Sequence, residues 1–447
     1  MTSPFHTPEF VAFGLPALWV AVAIFVGTYL LVMTERINRA ILALLGAGLM
    51  ILTGVLTQEA ALTGVDFNTI GLLLGMMVIV AITKKSGIFQ YVAIQSAQAV
   101  KGHPVGLLVM LSTVTAVFSA LLDNVTTVLL ITPVILRITR DMGIKPYPFL
   151  FAAIFASNIG GTATLIGDPP NIMIGSAANL SFNDFLVHLA PICAVVFAAT
   201  LAPICWIWRR DLQAMPKYRH TVMALNAKAA ITDARLLKQA LFVLAGVLAG
   251  FVLGHPLGLM PATVAMFGAT VLLLLDNLGH AAEHQAERVH AALSDAEWIT
   301  LFFFIGLFIL VTGIEHVGVI HWMADRLLSA TGGSLAVTAL AVLWGSALLS
   351  ALIDNIPFVA TMIPLLQAMG PAFGGDAAIQ PLWWSLALGA CLGGNGSLIG
   401  ASANLVVAGM AERDGHPIRF VPFLLMAFPL MLVGVLISTV YITLRYL

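Results

Sequence analysis

The stretch Ser119-Ala-Leu-Leu-Asp-Asn-Val-Thr-Thr-Val-Leu-Leu-Ile-Thr-Pro133 decides the fold, because it recurs without a gap as Ser350-Ala-Leu-Ile-Asp-Asn-Ile-Pro-Phe-Val-Ala-Thr-Met-Ile-Pro364. The offset between the copies is 231 residues. A second pair follows at an offset of 233, with residues 160–171 matching residues 393–404. The sequence therefore predicts a duplication, with halves at residues 10–208 and 239–447 and a linker at residues 209–238.

The composition places this duplication in a membrane. Hydrophobic residues make up 60% of the 447, charged residues only 9%, and mean hydropathy is +1.01. Soluble domains have about a quarter charged residues. The net charge of −1 gives no basic excess that would indicate a nucleic-acid partner. We therefore expect a multi-pass protein of the inner (plasma) membrane, surrounded by lipid.

The three cysteines lie in apolar stretches without CxxC spacing, at Cys193, Cys205 and Cys391. This pattern indicates neither a disulfide framework nor a zinc site, and packing is the simplest role for such thiols. The sequence predicts no metal site and no cofactor beyond a coupling proton or sodium ion.

Each half contains five uncharged stretches that approach the ~20 residues needed to cross a bilayer. They are residues 10–34, 40–58, 67–83, 146–167 and 187–208, then 239–254, 260–275, 298–314, 377–411 and 420–444. The prediction is an all-α polytopic membrane protein with about five transmembrane helices in each half, the first stretch being a retained span.

Two further segments in each half read as interrupted structures. Hairpins are predicted near residues 104–136 and 335–369, because an Asp-Asn pair stands at a chain reversal and the uncharged run after Asn124 is too short to cross. Re-entrant backbone of this kind occurs only where protein or water covers it. Broken helices are predicted near residues 146–180 and 377–411, where glycine and proline interrupt the helix.

Loop charge indicates that the two repeats are inverted. Lys84 and Lys85 in the first half correspond to Glu315 and His316 in the second, and the linker is basic. Because Lys and Arg favour the cytoplasmic side, the linker is expected in the cytoplasm and both termini outside.

Two acids lie at the predicted hairpin tips. A carboxylate at the centre of a membrane helix costs roughly 2.5 to 3.5 kcal/mol, so Asp123 and Asp354 are candidates for binding a proton or a cation. The alternative is that each caps the following helix. Asn124 and Asn355 offer neutral ligands beside them, or serve the turn.

The glycine-rich signatures supply further candidates, since freed carbonyls and hydroxyls can coordinate an ion and a half-helix N-terminus can face an anion. Close packing of small residues is the alternative. Asp168 has only Ala401 as its counterpart, and is either an asymmetric proton carrier or an acid near the outer water interface. Asp123, Asp354 and Asp168 are the candidates for proton coupling. The candidate solute and ion ligands are Asp123, Asn124, Thr126, Asn158, Gly161, Thr162, Thr164, Asn171, Asp354, Asn355, Gly394, Asn395, Ser397 and Asn404.

Four motifs, LDNVTTVLLITPV, SNIGGTATLIGDPPN, LIDNIPFVATMIPLL and GACLGGNGSLIGASAN, resemble the ArsB/NhaD/P-type permeases of the ion transporter superfamily, above all the pink-eyed dilution (P) branch. The likeness extends over nearly the whole chain. It implies a homodimer in which an elevator-like transport domain holding the hairpins moves against a scaffold domain. The superfamily's carboxylate symporters resemble Ser-Asn-Thr at the tips, whereas this chain has Asp-Asn-Val and Asp-Asn-Ile. That departure favours proton coupling over sodium-carboxylate symport.

The resemblance implies a small inorganic solute or ion as cargo. The favoured function is proton-coupled efflux of arsenite or antimonite, because an uncharged hydroxylated solute suits Asn, Ser and Thr ligands and no Arg or Lys occurs in the four motifs. The alternatives are a Na⁺/H⁺ antiporter and a chloride or dicarboxylate permease.

Other classes of protein fit less well. An intramembrane aspartyl protease needs two close carboxylates that share a proton, but the duplication pairs Asp123 with Asp354, and Leu-Ile-Gly-Asp168 lacks a Gly-x-Gly-Asp motif. A passive channel is the stronger alternative, yet duplicated discontinuous helices are typical of alternating access. We therefore expect a transporter and no enzymatic activity.

Overall fold

The computed structural model describes residues 11, 14–34, 36–212, 223–224 and 226–447, whose regular elements are helices. Phe10 and much of the linker, including Lys217, lie outside the described residues. The α-helices of the first half are α1 Ala17–Met33, α2 Arg39–Leu52, α3 Gln58–Thr63, α4 Phe67–Lys84, α5 Ile88–Ala99, α6 Pro104–Leu121, α7 Asn124–Asp141, α8 Tyr147–Thr162, α9 Pro169–Ala177, α10 Phe182–His188 and α11 Ala190–Ile207. Those of the second half are α12 Ala234–Gly254, α13 Pro261–Asn277, α14 Ala282–Ser294, α15 Trp298–His316, α16 Val319–Ala330, α17 Leu335–Ser350, α18 Asn355–Met369, α19 Gln380–Gly393, α20 Ser402–Arg413 and α21 Phe420–Tyr446.

Within the described residues, seven helices are long and apolar enough to cross a membrane. They are α4, α6, α11, α12, α15, α18 with the turn that follows it, and α21. An eighth span results if α16 and α17, which meet at a bend of 116°, count as one, and α1, α2 and α13 are shorter apolar helices. The all-α, multi-pass architecture expected from the sequence is confirmed.

The chain reverses at each predicted hairpin tip within a few residues. Only two residues separate α6 from α7, and four separate α17 from α18. The Asp123 carboxylate accepts the backbone N–H of Thr126 at 2.7 Å, and the Asp354 carboxylate accepts that of Ile356 at 3.0 Å. The capping role considered for both acids is therefore present. Helix α7 extends to Asp141, beyond the uncharged run that defined it in the sequence.

The two glycine-rich signatures interrupt their helices. Helix α8 ends at Thr162 and α9 begins at Pro169, while α19 ends at Gly393 and α20 begins at Ser402. Proline is suited to the first helical position because the N–H it lacks would have no partner there.

The asparagine that ends each signature stabilises the interruption by hydrogen bonds. Asn171 Nδ2 donates to the carbonyl of Thr164 at 2.9 Å, and Asn404 Nδ2 donates to that of Ser397 at 2.8 Å. One side-chain amide in each half thus satisfies carbonyls that the broken helix leaves free.

Close helix packing occurs in the same signatures. A Cβ atom on Gly160 would lie 2.2 Å from the carbonyl oxygen of Ala116, and one on Gly393 would lie 2.6 Å from that of Ala347. The small-residue alternative therefore holds for these two glycines, beside the helix break that follows them.

The two halves interlock through what we call the framework helices, α1, α2, α4, α12, α13 and α15. Helix α2 packs against α15, and α13 packs against α4. Gly306 lets the backbone at Ala43 approach, and Gly75 does the same for Ala265. The hairpins and broken helices, which we call the core helices (α6–α9 and α17–α20), also cross between halves, since α7 packs on α20 and α18 on α9. Because of this packing across the halves, both hairpin tips lie close to both interruptions.

Candidate functional site

Four helices of the core begin in the region between the two hairpin tips. They are α7 and α18, which follow the tips, and α9 and α20, which follow the interruptions. Each N-terminus carries unpaired N–H groups and a partial positive charge. An aspartate stands at the N-cap position of three of them, whereas Ala401 precedes α20.

A chain of buried amides joins the first hairpin to both interruptions. Asn124 Nδ2 donates to Asn158 Oδ1 at 3.4 Å, and Asn158 Nδ2 donates to Asn395 Oδ1 at 3.1 Å and to Asn404 Oδ1 at 3.0 Å. Asn124 Oδ1 is buried without a hydrogen-bond partner. A buried acceptor left unpaired costs about 1–3 kcal/mol, so this oxygen is a candidate ligand for a solute or cation.

Asp168 is fully buried at the centre of the molecule. Asn355 Nδ2 lies 3.4 Å from each of its carboxylate oxygens, and Asn124, Cys391 and the carboxylate of Asp354 are its other polar neighbours. In the described part of the chain, no Lys, Arg or His forms an ion pair with it. The side chain of Asp168 lies between the two hairpins and has no exposed surface, and a role as proton carrier stays a prediction.

Asp354 has a cationic partner. Its Oδ2 accepts hydrogen bonds from Arg39 Nη1 at 2.9 Å and from Ser402 Oγ at 2.6 Å, and Arg39 also contacts the Ser402 hydroxyl. The Arg39 guanidinium lies over the ring of Phe303, 5.0 Å from its centroid. This arginine is the first residue of α2, so a framework helix supplies a charge to the second hairpin tip.

A cavity of about 740 Å³ leads to this ion pair. It lies at the N-terminal ends of α2 and α15, and its lining includes Arg39, Asp354, Ser402 and Glu297. Helix α4 ends on the same side, where the Thr232 hydroxyl at the end of the linker donates to the carbonyl of Lys85. Val125 of the first tip lines the same cavity, so both hairpin tips are open toward the side of the linker.

A smaller cavity of about 230 Å³ lies at the opposite side, between the N-terminal ends of α4 and α13. Its lining includes Asn68, Ser176 and Pro261 but no hairpin-tip residue. The two cavities occupy corresponding places in the two halves, and only the one on the linker side reaches a tip.

Several predicted ligands use their polar groups within the protein. The hydroxyls of Thr162, Thr164 and Ser397 donate to the carbonyls of Asn158, Ala120 and Ala351. Gly161 and Gly394 pack against the backbone of residues 167 and 400, and the half-buried Thr126 supplies the N–H that Asp123 caps. These residues, with Asn171, shape the interruptions and tips around the site. The predicted residues that meet at its centre are Asn124, Asn158, Asp168, Asn355, Asn395 and Asn404.

Four residues at the site were not predicted from the sequence, namely Arg39, Glu297, Cys391 and Ser402. Cys391 carried a signal, because the offset of 233 aligns it with Asn158, and its Sγ lies 3.5 Å from Asn171 Oδ1. Arg39 lies outside all four motifs and carried none. The absence of basic residues from the motifs therefore did not extend to the site.

Comparison with known proteins agrees with this architecture. The sequence profile of a family described as citrate transporters (CitMHS) matches residues 29–389. An uncharacterized transporter of Mycobacterium tuberculosis is 41% identical over 96% of this chain and 98% of its own length. The P protein of Sus scrofa is 33% identical over 95% of this chain and 59% of its own, which confirms the expected likeness to P permeases.

A solved structure shares the fold. The YdaH transporter of Alcanivorax borkumensis, whose topology is described as unusual, superposes with a TM-score of 0.57 at 16% identity. The match covers 95% of this chain and 98% of that one. At this level of identity the likeness concerns the fold alone.

Proposed function

The chain belongs to the CitMHS citrate transporter family and is a multi-pass secondary transporter of the P-protein type, and from this premise we propose that it exchanges protons for an uncharged hydroxylated solute, arsenite or antimonite in the first place. The core helices move as an elevator against the framework helices, within a homodimer. Both the elevator and the dimer come from the family resemblance of the four motifs.

The buried acid Asp168 carries this proposal. It has amide and thiol neighbours, and among the described residues it has no ion-pair partner. An isolated carboxylate in such surroundings is unfavourable until a proton or a cation neutralises it. A group that must be neutralised before it can cross with the core is suited to carrying the coupling proton.

The amide chain supports a neutral cargo. Asn124, Asn158 and Asn395 offer carbonyl and N–H groups, which bind hydroxyl groups without requiring charge. The acids at the N-termini of α7 and α18 occupy positions where a bound anion would otherwise gain from the helix dipole. A dianion would therefore meet carboxylates at both hairpin tips.

Anion transport is the second candidate, because Arg39 brings a guanidinium to the cavity at the second tip. A carboxylate cargo, such as the citrate for which the family is described, would have to replace Asp354 as the partner of this arginine. Na⁺/H⁺ antiport remains the third candidate, with Asp168 and Asn124 Oδ1 as sodium ligands.

The experiment is a panel of transport assays in proteoliposomes. With an acidic interior, we expect arsenite and antimonite to accumulate against their gradients, and a protonophore to abolish the accumulation. Chloride, citrate, dicarboxylates and sodium are the comparison cargoes, and the Asp168→Asn variant is the matched control. Accumulation of citrate alone would overturn the metalloid proposal in favour of anion transport, and dissipation of every gradient would indicate a channel.

A further inference from the structure

The two hairpin tips have the same sequence, Asp-Asn, but only one has a cation. Arg39 contacts Asp354 at the second tip. The corresponding residue at the first tip follows from the packing of the framework helices. Ala43 of α2 and Ala265 of α13 meet equivalent glycines, so Arg39 at the start of α2 corresponds to Pro261 at the start of α13.

The first tip has no substitute for this arginine. Asp123 caps its own helix through the N–H of Thr126, and within the described residues it forms no ion pair. It interacts instead with the carboxylate of Glu297, at the wall of the larger cavity. The two aspartates thus have the same place in the duplication but differ in that only Asp354 has a cationic partner.

The contacts of Arg39 hold its charge in one place. A guanidinium remains protonated in proteins, and its hydrogen bond to a carboxylate is charge-assisted. The Ser402 hydroxyl joins Arg39 and Asp354, and the Phe303 ring lies beneath the guanidinium. Three groups from three elements therefore fix the arginine against the second tip.

We propose that Arg39 is a resident cation that neutralises Asp354 throughout the transport cycle, so that of the two tip carboxylates only Asp123 binds an exchangeable coupling cation. The inference rests on the proposed cation-coupled transport and adds which tip takes part. Arg39 stands where a second coupling ion would otherwise bind. The transporter therefore moves one coupling ion fewer per cycle than its symmetric tips imply.

The other charges near the ion pair do not replace Arg39. Asp168 acts on Asp354 from the interruption before α9, and Glu297 acts on Arg39 from the end of α15. Both are acids. Without the arginine, Asp354 would face the carboxylate of Asp168 and no described cation, and it would need a proton or a metal ion to stay buried.

The test is infrared spectroscopy of the full-length protein in lipid films at neutral and acidic pH, which detects protonated carboxyl groups without any cargo. We expect the wild type and the Asp354→Asn variant to gain the same carboxylic-acid band on acidification. Arg39→Gln should gain an additional band, and the double variant Arg39→Gln/Asp354→Asn should lose it again. Arg39→Lys is the matched control that retains the charge and should resemble the wild type.

A wild-type band that weakens in Asp354→Asn would overturn the proposal, as would an Arg39→Gln spectrum identical to that of the wild type. If either single variant fails to fold, comparing the wild type with the double variant decides, since neither contains an unpaired charge. Equal bands support a resident cation, and a weaker band in the double variant contradicts it.

A second measurement gives the consequence for transport. With arsenite as probe, the pH dependence of uptake should become steeper in Arg39→Gln, by one additional proton, and return to the wild-type slope in the double variant. If the wild type does not move arsenite, the proposed cargo fails while the spectra still decide the role of Arg39. An unchanged slope in a folded, active Arg39→Gln variant would contradict the inference.

Discussion

The hairpin tip at Asp123-Asn124 and the one at Asp354-Asn355 share the Asp-Asn sequence, and the acid caps the second helix of the hairpin in each. Their surroundings differ. The first contacts the amide chain through Asn158, whereas the second contacts Arg39 from the framework and Asp168 from the opposite interruption.

The second tip has one more link to the framework. The Tyr29 hydroxyl of α1 donates to the carbonyl of Pro357 at 2.9 Å and lies 3.0 Å from the hydroxyl of Thr361. Threonine and leucine occupy the corresponding positions 126 and 130 of the first hairpin. The duplication has therefore kept the reversal and its cap, while residues outside the motifs have given the two tips different partners.

The largest effect on transport is expected when a tip acid is replaced by its amide, because this change keeps the helix cap and removes the titratable charge. Asn caps a helix about as well as Asp, so Asp123→Asn should fold normally and lose nearly all transport driven by a pH gradient. Proton-coupled uptake in proteoliposomes, compared with solute binding at equilibrium, measures this loss. Full coupled uptake by Asp123→Asn would show that this acid only caps its helix and would leave Asp168 alone as the coupling group.

Removing the arginine should have the largest effect on stability. Breaking a buried pair by deleting one partner costs about 3–5 kcal/mol, and because the side chains of Arg39 and Asp354 are 26% and 15% exposed, we expect Arg39→Ala to fall at the lower end. The thermal midpoint in detergent is the measurement. Arg36→Ala, at an exposed position in the loop before α2, is the control and should change the midpoint little.

The double variant Arg39→Ala/Asp354→Asn should recover much of that loss, because no unpaired charge remains and asparagine keeps the helix cap. A double variant as unstable as Arg39→Ala would mean that the arginine stabilises the protein through Phe303 and Ser402 rather than through the carboxylate.

The hydroxyl contacts at the two interruptions should contribute equally to stability when they are removed, in contrast to the contacts at the tips. Thr164 donates to the carbonyl of Ala120 at 2.6 Å, and Ser397 donates to that of Ala351 at 2.5 Å. Thr164→Val and Ser397→Ala each leave a carbonyl without its donor, at a cost of about 1–3 kcal/mol. Thermal midpoints that differ widely between the two variants would contradict the symmetry of these two hydroxyl contacts.

A smaller, one-sided effect is expected for Tyr29→Phe. The loss of one hydroxyl contact should cost about 0.5–1.5 kcal/mol and should loosen the second hairpin alone. Alkylation of a cysteine introduced at the exposed Leu352 should become faster, whereas one at Val125 of the first tip should react as before. Equal acceleration at both positions would show that Tyr29 stabilises the whole core.

Labelling from outside the cell tests the inversion of the halves without disturbing function. A cysteine at position 316 should react with a membrane-impermeant reagent, and one at position 228 should not, because the basic linker is expected in the cytoplasm. Reaction at both positions would overturn the inverted arrangement.

Much of the architecture was accessible from the sequence because it depends on local chemistry. Asp-Asn at a reversal predicted the hairpin tips, and Gly160, Gly161 and Pro169 predicted the interruption of α8. The membrane location followed from composition. The duplication also predicted that Asp123 and Asp354 occupy equivalent positions at the two hairpin tips, as they do.

The surroundings of these positions were not accessible, because they depend on contacts between distant segments. Arg39 reaches Asp354 only because α2 packs on α15 of the other half. The sequence likewise cannot tell that the Thr164 hydroxyl is used by a carbonyl of the hairpin, so it was predicted as a ligand. The burial of Asp168 follows from the same packing between the halves.

The packing of framework helices of one half against those of the other has a consequence for biogenesis. As the ribosome makes the chain, α4 enters the membrane with the close-packing surface at Gly75 uncovered, since its partner Ala265 is synthesised only with the second half. The packing surface of α2 at Ala43 stays uncovered longer still, because its partner Gly306 lies in α15, which is synthesised after α13. The first half therefore has to be held by lipid or by the insertion machinery until the second half arrives, and neither half can mature as an independent unit.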